Sequence, residues 1–106
     1  MPKQEAKFQV GQIIHHKLFD YIGAVFDVDP TFQGTDDWYE HVARSRPPKD
    51  KPWYHVLVDA STSTTYAAEE NLTGDESGAA VSHPLIETFF VGFQDGRYTR
   101  NEQPWV

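Results

Sequence analysis

Between Pro52 and Asp59 the chain runs Trp53-Tyr54-His55-Val56-Leu57-Val58, a stretch that is aromatic, β-branched or apolar except for one histidine. Such a run reads as a strand. A period of two puts Trp53, His55 and Leu57 on one face and Tyr54, Val56 and Val58 on the other. Both faces carry apolar bulk, so both need cover, and the run is expected to be the central strand of a small, curled all-β domain. Asp59 opens the polar connection Ala60-Ser61-Thr62-Ser63-Thr64, which reads as a hairpin loop returning through Tyr66-Ala67-Ala68-Glu69-Glu70-Asn71-Leu72.

The rest of the chain is punctuated in the same way. A short strand is expected from about Gln12 to His16 after a bend at Gly11, then a turn at Leu18-Phe19-Asp20. A longer strand follows from Tyr21 to Asp29 and is stopped by Pro30. Gly23 inside it predicts a bulge or a close backbone crossing. Residues 35–44 carry the clearest helix signal: Thr35 as N-cap, Asp36 and Asp37 at the positive end of the dipole, and Trp38 and Val42 sharing a face. Pro47-Pro48 cannot continue a helix. Residues 73–80 read as a flexible loop. The segment from His83 to Phe93 reads as a short helix, or as a strand at Phe89-Phe90-Val91. A last short strand is expected near Tyr98. The chain is therefore one mainly β domain, a barrel of about five strands with one or two short helices. It is flanked by a disordered N-terminus (1–6) and a loose C-terminal tail (101–106).

A chain of 106 residues buries roughly two-thirds of its surface on folding, enough for one modest core. Three Trp, five Tyr and seven Phe supply much of it. Cysteine is absent, which excludes disulfides and thiolate metal sites and fits a reducing compartment. The opening residues 1–7 have no apolar h-region and no apolar run approaches the ~20 residues of a membrane span, so a cytoplasmic protein is expected. Nine Lys and Arg against sixteen Asp and Glu give a net charge of −7, which disfavours nonspecific attraction to nucleic acid.

No G-x-S-x-G, P-loop, H-E-x-x-H or cysteine nucleophile is present, so no enzyme activity and no cofactor are expected. Ser61 and Ser63 read as loop residues. Asp27 and Asp29 share a strand face and read as a solvated strand end. The histidines show no metal-ligand spacing: His15 and His16 point to opposite faces, His55 reads as a packed residue bonded to a neighbouring strand, and His83 as a local turn contact. Trp53, Tyr54, Tyr66 and Tyr98 fit an exposed stacking surface or, in the favoured reading, the core and rim of a barrel. The locally basic segment is Arg44-Ser45-Arg46-Pro47-Pro48-Lys49-Asp50-Lys51. Its cations Arg44, Arg46, Lys49 and Lys51, with Trp53 and Tyr54 on the adjoining strand, form the expected partner-binding set. The Leu85 to Phe93 segment is the expected apolar patch, or its cover, for self-association.

Taken together, Lys7-Phe8-x-Val10-Gly11-Gln12, His15, Tyr21-x-Gly23-x-Val25-x-Asp27-Val28-Asp29-Pro30, Pro52 to Val58 and Tyr66-x-Ala68-Glu69-x-Asn71-Leu72 resemble the heat-shock protein Q family. That family is also called the hemimethylated-DNA-binding, YccV-like domain. The resemblance runs from about Lys7 to Arg100, and His83-Pro84 and Tyr98 are similar to the ending of longer versions, one of them attached to an F-box subunit of a ubiquitin ligase. It implies an SH3-like β-barrel with no catalysis of its own, and no agreed catalytic residues come with it. Two roles travel with the family: a stress-induced factor that helps an ATP-dependent Lon-type protease degrade particular or denatured proteins, and an interaction with hemimethylated origin DNA. Phosphate contacts by Lys and Arg dominate DNA affinity, and this acidic chain offers one basic loop. The protease role is therefore the expectation and DNA binding the alternative.

Overall fold

The computed structural model describes residues 6–43 and 45–101. The N-terminal residues 1–5, Arg44 and the tail residues 102–106 lie outside the described residues. Among the described residues seven strands and two short helices follow one another: β1 (Ile13–His16), β2 (Ile22–Asp29), α1 (Asp36–His41), β3 (Trp53–Val58), β4 (Thr64–Ala68), β5 (Leu72–Gly74), α2 (Ile86–Phe89), β6 (Phe90–Gln94) and β7 (Arg97–Arg100). The first five strands form one antiparallel sheet in the order β4-β3-β2-β1-β5, and β6 and β7 form a separate ribbon.

β4 and β5 lie at opposite edges of the sheet, yet only the 3-10 turn Glu69–Asn71 separates them in sequence. Four inter-strand steps of a flat sheet would span about 19 Å, whereas the chain from Ala68 to Leu72 reaches at most about 14 Å. The sheet is therefore curled. No ladder joins β4 to β5, so it curls without closing.

Curling gives each strand an inner and an outer face. Phe8, Ile14, Val25, Tyr54, Val56, Ala67 and Leu72 fill the inside. On the outside, Ile13, Ala24 and Leu57 are covered by Val81, Phe90 and Tyr98, while Trp53 and Ala68 are covered by Tyr39 with Phe32 and Trp38. The alternation expected along β3 is thus realised, with Trp53 and Leu57 outside and Tyr54 and Val56 inside. Gly23 is the close crossing: a Cβ there would stand 2.4 Å from a Val56 methyl and 2.6 Å from the Leu57 carbonyl oxygen. The bulge of β2 falls elsewhere, between Val25 and Asp27.

Thr35 caps α1, its hydroxyl accepting the Trp38 N–H at 3.1 Å. The ambiguous segment 83–93 takes both forms in turn, helix to Phe89 and strand from Phe90. One expectation fails: Thr73 and Gly74 belong to β5 rather than to a flexible loop, paired with His15 and Ile14. A strand of three residues with one apolar side chain has no periodicity to read; the free edge of β1 selects it.

Candidate protein-binding groove

The basic loop is a clasp. Buried Tyr and Trp side chains need partners for their polar atoms, and the loop carbonyls supply them. Tyr39 donates to the Pro47 carbonyl at 2.6 Å and Trp53 Nε1 to the Pro48 carbonyl at 3.0 Å. Phe32 N–H donates to the Lys49 carbonyl at 2.9 Å. Its cations point back at α1: Arg46 makes two bonds to the Glu40 carboxylate, at 2.7 and 3.1 Å, and Lys49 reaches Asp36 at 3.3 Å with its ammonium 4.3 Å from the Tyr39 ring centre. The Arg46 guanidinium, through its hydrogen bond and its charge, holds the Glu40 carboxyl below the usual carboxylate range. Among the described residues, Lys51 is the loop cation without an ion pair. Arg44 lies outside the described residues.

Trp53 and Tyr54 are not rim residues. They are 1 % and 0 % exposed, and the Tyr54 hydroxyl donates to Glu69 at 2.5 Å while accepting the Phe8 N–H. Burial first, then the Glu69 carboxylate, pushes that phenol well above its ordinary value. Tyr98 is also buried, and Tyr66 is partly so. The aromatic set is core with one rim member, because each strand face on which it stands is covered by another layer.

The apolar surface left open is a groove between the β1–β2 turn and α1. Phe19 and His16 form one wall, Trp38 and Val42 the other, and Tyr66 and the β4 backbone lie between them. Its larger lobe has a volume of about 380 Å³, within the usual range for a binding cleft. Phe19 is 69 % and Val42 48 % exposed, so each wall offers apolar area to a partner. Thr65 faces the inside of the curl, its hydroxyl 2.6 Å from that of Tyr21, and Tyr66 faces outside, donating to Asp29 at 2.7 Å. A groove lined by both residues passes over the free edge of β4.

Local chemistry fixes the first wall. His16 is 3 % exposed, and its ring stacks between Phe19 and Tyr21 at centroid distances of 4.7 and 5.0 Å. Its Nδ1 accepts the N–H groups of Leu18 and Phe19 at 3.2 and 3.0 Å, which requires that nitrogen to be unprotonated. Burial, and secondarily the neighbouring His15, holds the His16 pKa below 6.5; His15 itself pairs with Asp20 at 2.6 Å. An unfolded chain takes up a proton near 6.5 that the folded chain refuses. The stabilisation is complete above that pH and is lost as the pH falls below it. The melting temperature should drop between pH 7.5 and 5, with a shallower slope in His16→Gln, as read by circular dichroism.

The far end of the groove is polar. His55 meets Asp29 at 3.0 Å across the β2–β3 ladder, and Tyr66 donates to the same carboxylate and accepts the Gln33 N–H. Burial, then the bond to Asp29, raises the Tyr66 hydroxyl far above its ordinary value and keeps it a donor. Asp27, Asp29 and His55 bring one ligand atom each within 4.8 Å of one another, a gathering that sequence spacing did not reveal. The bulge of β2 is what sets Asp27 opposite His55. The His55 and Tyr66 bonds to Asp29 satisfy this group internally, as expected for a packed histidine. His83 keeps its turn contact with Leu85 N–H and also reaches the Ser63 carbonyl at 2.9 Å. Ser61 donates to the Val58 carbonyl within its own loop.

Sequence reasoning missed the groove because its walls are far apart in the chain. The available signal was Leu18-Phe19, two large apolar side chains in an expected turn, both exposed. No helix among the described residues is long and apolar enough to cross a membrane. The family model described as hemimethylated DNA-binding protein YccV like matches residues 6–97. The chain belongs to the YccV-like family.

Proposed function

We propose that this YccV-like protein is a non-enzymatic, cytoplasmic adaptor that helps an ATP-dependent Lon-type protease degrade particular or denatured proteins. The observation that carries this reading is the open apolar groove over the edge of β4. Apolar walls beside an unpaired strand edge suit a polypeptide partner. They sit on a chain of net charge −7, and two loop cations are already engaged by Glu40 and Asp36. We read the curled sheet, joined edge to edge by one 3-10 turn, as an SH3-like barrel. We assign self-association to the Leu85 to Phe93 segment, where Val91 and Phe93 are exposed.

Binding of hemimethylated DNA is the second reading, favoured by the family's description. The two differ in the residues they need. Degradation of a denatured substrate by a purified Lon-type protease should rise when the protein is added. Phe19→Ser with Val42→Ser should reduce that gain several-fold, since two exposed contacts are lost at little cost to the fold. Replacing Arg46, Lys49 and Lys51 with Ser should leave most of the gain in place, because the Pro47 and Pro48 carbonyls still hold Tyr39 and Trp53 and exposed ion pairs contribute little. If the loop replacement instead abolishes a salt-dependent affinity for hemimethylated over unmethylated duplex, and the protease shows no response, the DNA reading replaces this one.

A further inference from the structure

The floor of the groove carries unused main-chain groups. Val58 N–H donates to the Ser63 carbonyl and Glu69 N–H to the Pro52 carbonyl, both at 3.1 Å. Between those pairs the register sets Val56 opposite Thr65 and Tyr54 opposite Ala67. Antiparallel ladders alternate bonded and non-bonded pairs. Thr65 and Ala67 therefore bond to β3, and Thr64 and Tyr66 turn their N–H and C=O groups the other way. β4 is an edge strand, and among the described residues those outward groups of Thr64 and Tyr66 form no bond.

We propose that the groove takes up an extended segment of an unfolded polypeptide as an added strand on β4, seating an apolar side chain between Phe19, Trp38 and Val42. The inference rests on the protein-binding reading above and names what the partner presents. Donor and acceptor groups repeating every second residue are the complement of an extended backbone. A helix satisfies its own main chain, and a nucleic acid has no matching ladder. Lysine or arginine beside the apolar residue suits the charge of −7. A second copy fits poorly, because its own β4 edge stands between the same two walls, the β1–β2 turn and α1.

The test uses the full chain and a fluorescent synthetic peptide of about a dozen residues, with leucines at alternate positions between lysines. The peptide should bind, and amide hydrogen exchange at Thr64 and Tyr66 should slow about tenfold when it does. Thr64→Pro removes an outward N–H at the first residue of an edge strand, where proline is tolerated. It should weaken binding roughly five- to tenfold while the circular dichroism spectrum holds. Should that variant unfold, Phe19→Ser with Val42→Ser takes its place, and undiminished affinity in it overturns the proposal. Binding that leaves both amides exchanging at their free rates also overturns it. So does protection that grows with protein concentration in the absence of peptide, which gives the edge to a second copy. Peptide binding at β4 without any effect on the protease would sink the adaptor reading and leave this one standing.

Discussion

Replacing Trp53 with alanine should cost ~3–5 kcal/mol, the usual range for emptying a buried tryptophan site. A domain of this size is stable by only ~5–15 kcal/mol, so the urea midpoint should fall by roughly a fifth or more. The side chain is 1 % exposed. Its ring centre lies 4.8 Å from that of Phe32, 5.2 Å from Tyr66 and 5.9 Å from Trp38, and its N–H holds the Pro48 carbonyl. Losing it removes the platform under α1, so the Trp38 and Val42 wall should loosen as well. Trp53→Phe should recover part of the loss, because the ring contacts return and the carbonyl does not regain its donor. A rim residue would cost only ~0.5 kcal/mol or less. Equilibrium unfolding therefore separates the buried role from a contact role without reference to any partner.

Gly11→Ala should be the most damaging single-methyl change in the chain, at ~3 kcal/mol. Gly11 has φ +92°, a region costing an L-residue roughly 1–2 kcal/mol, and its new Cβ would stand 2.1 Å from the Tyr98 carbonyl oxygen. That obstacle is backbone, so it cannot swing aside, and the displacement adds the ~1–3 kcal/mol typical of overpacking. The position also stitches the ribbon to the sheet. Gly11 N–H donates to the Val25 carbonyl and the Gly11 carbonyl accepts the Tyr98 N–H, each at 2.8 Å. Displacing the ribbon uncovers Ile13, Ala24 and Leu57, so binding of an apolar dye should increase along with the loss of stability. Gly78→Ala is the control: its φ is +76° but nothing lies within 4 Å of the added methyl. It should cost only about 1 kcal/mol, for the backbone alone.

Much of the fold was legible because it is written in local signals. The alternation along Trp53 to Val58 gave both buried faces of β3, Thr35 gave the start of α1, and Gly23 marked a close crossing. His55 was correctly taken as a packed residue, with Asp29 of β2 as its partner. The site was less legible. Four cations beside an aromatic strand have the composition of a contact surface. Composition does not say that Glu40 and Asp36, one helix away, take up Arg46 and Lys49. Nor does it say that a polar atom on a buried Tyr39 or Trp53 requires the loop's carbonyls. β5 escaped detection for a related reason, since a three-residue strand exists only through the edge it completes.

What the sequence determined by itself is most of the elements, β5 excepted, and which faces of β3 carry apolar bulk. Periodicity, caps and turn residues act over a few positions and need no knowledge of the rest of the chain. What only the tertiary structure decided is which surface stays open. The short 3-10 turn forces the sheet to curl, and the curl brings the β1–β2 turn opposite α1 across the edge of β4. Leu18 and Phe19, ordinary turn residues along the chain, become the wall of a groove. The basic loop, the most partner-like segment along the chain, becomes the clasp that holds the other wall in place. Exposure is a property of packed layers, set by contacts between residues distant in sequence, and no local pattern encodes it.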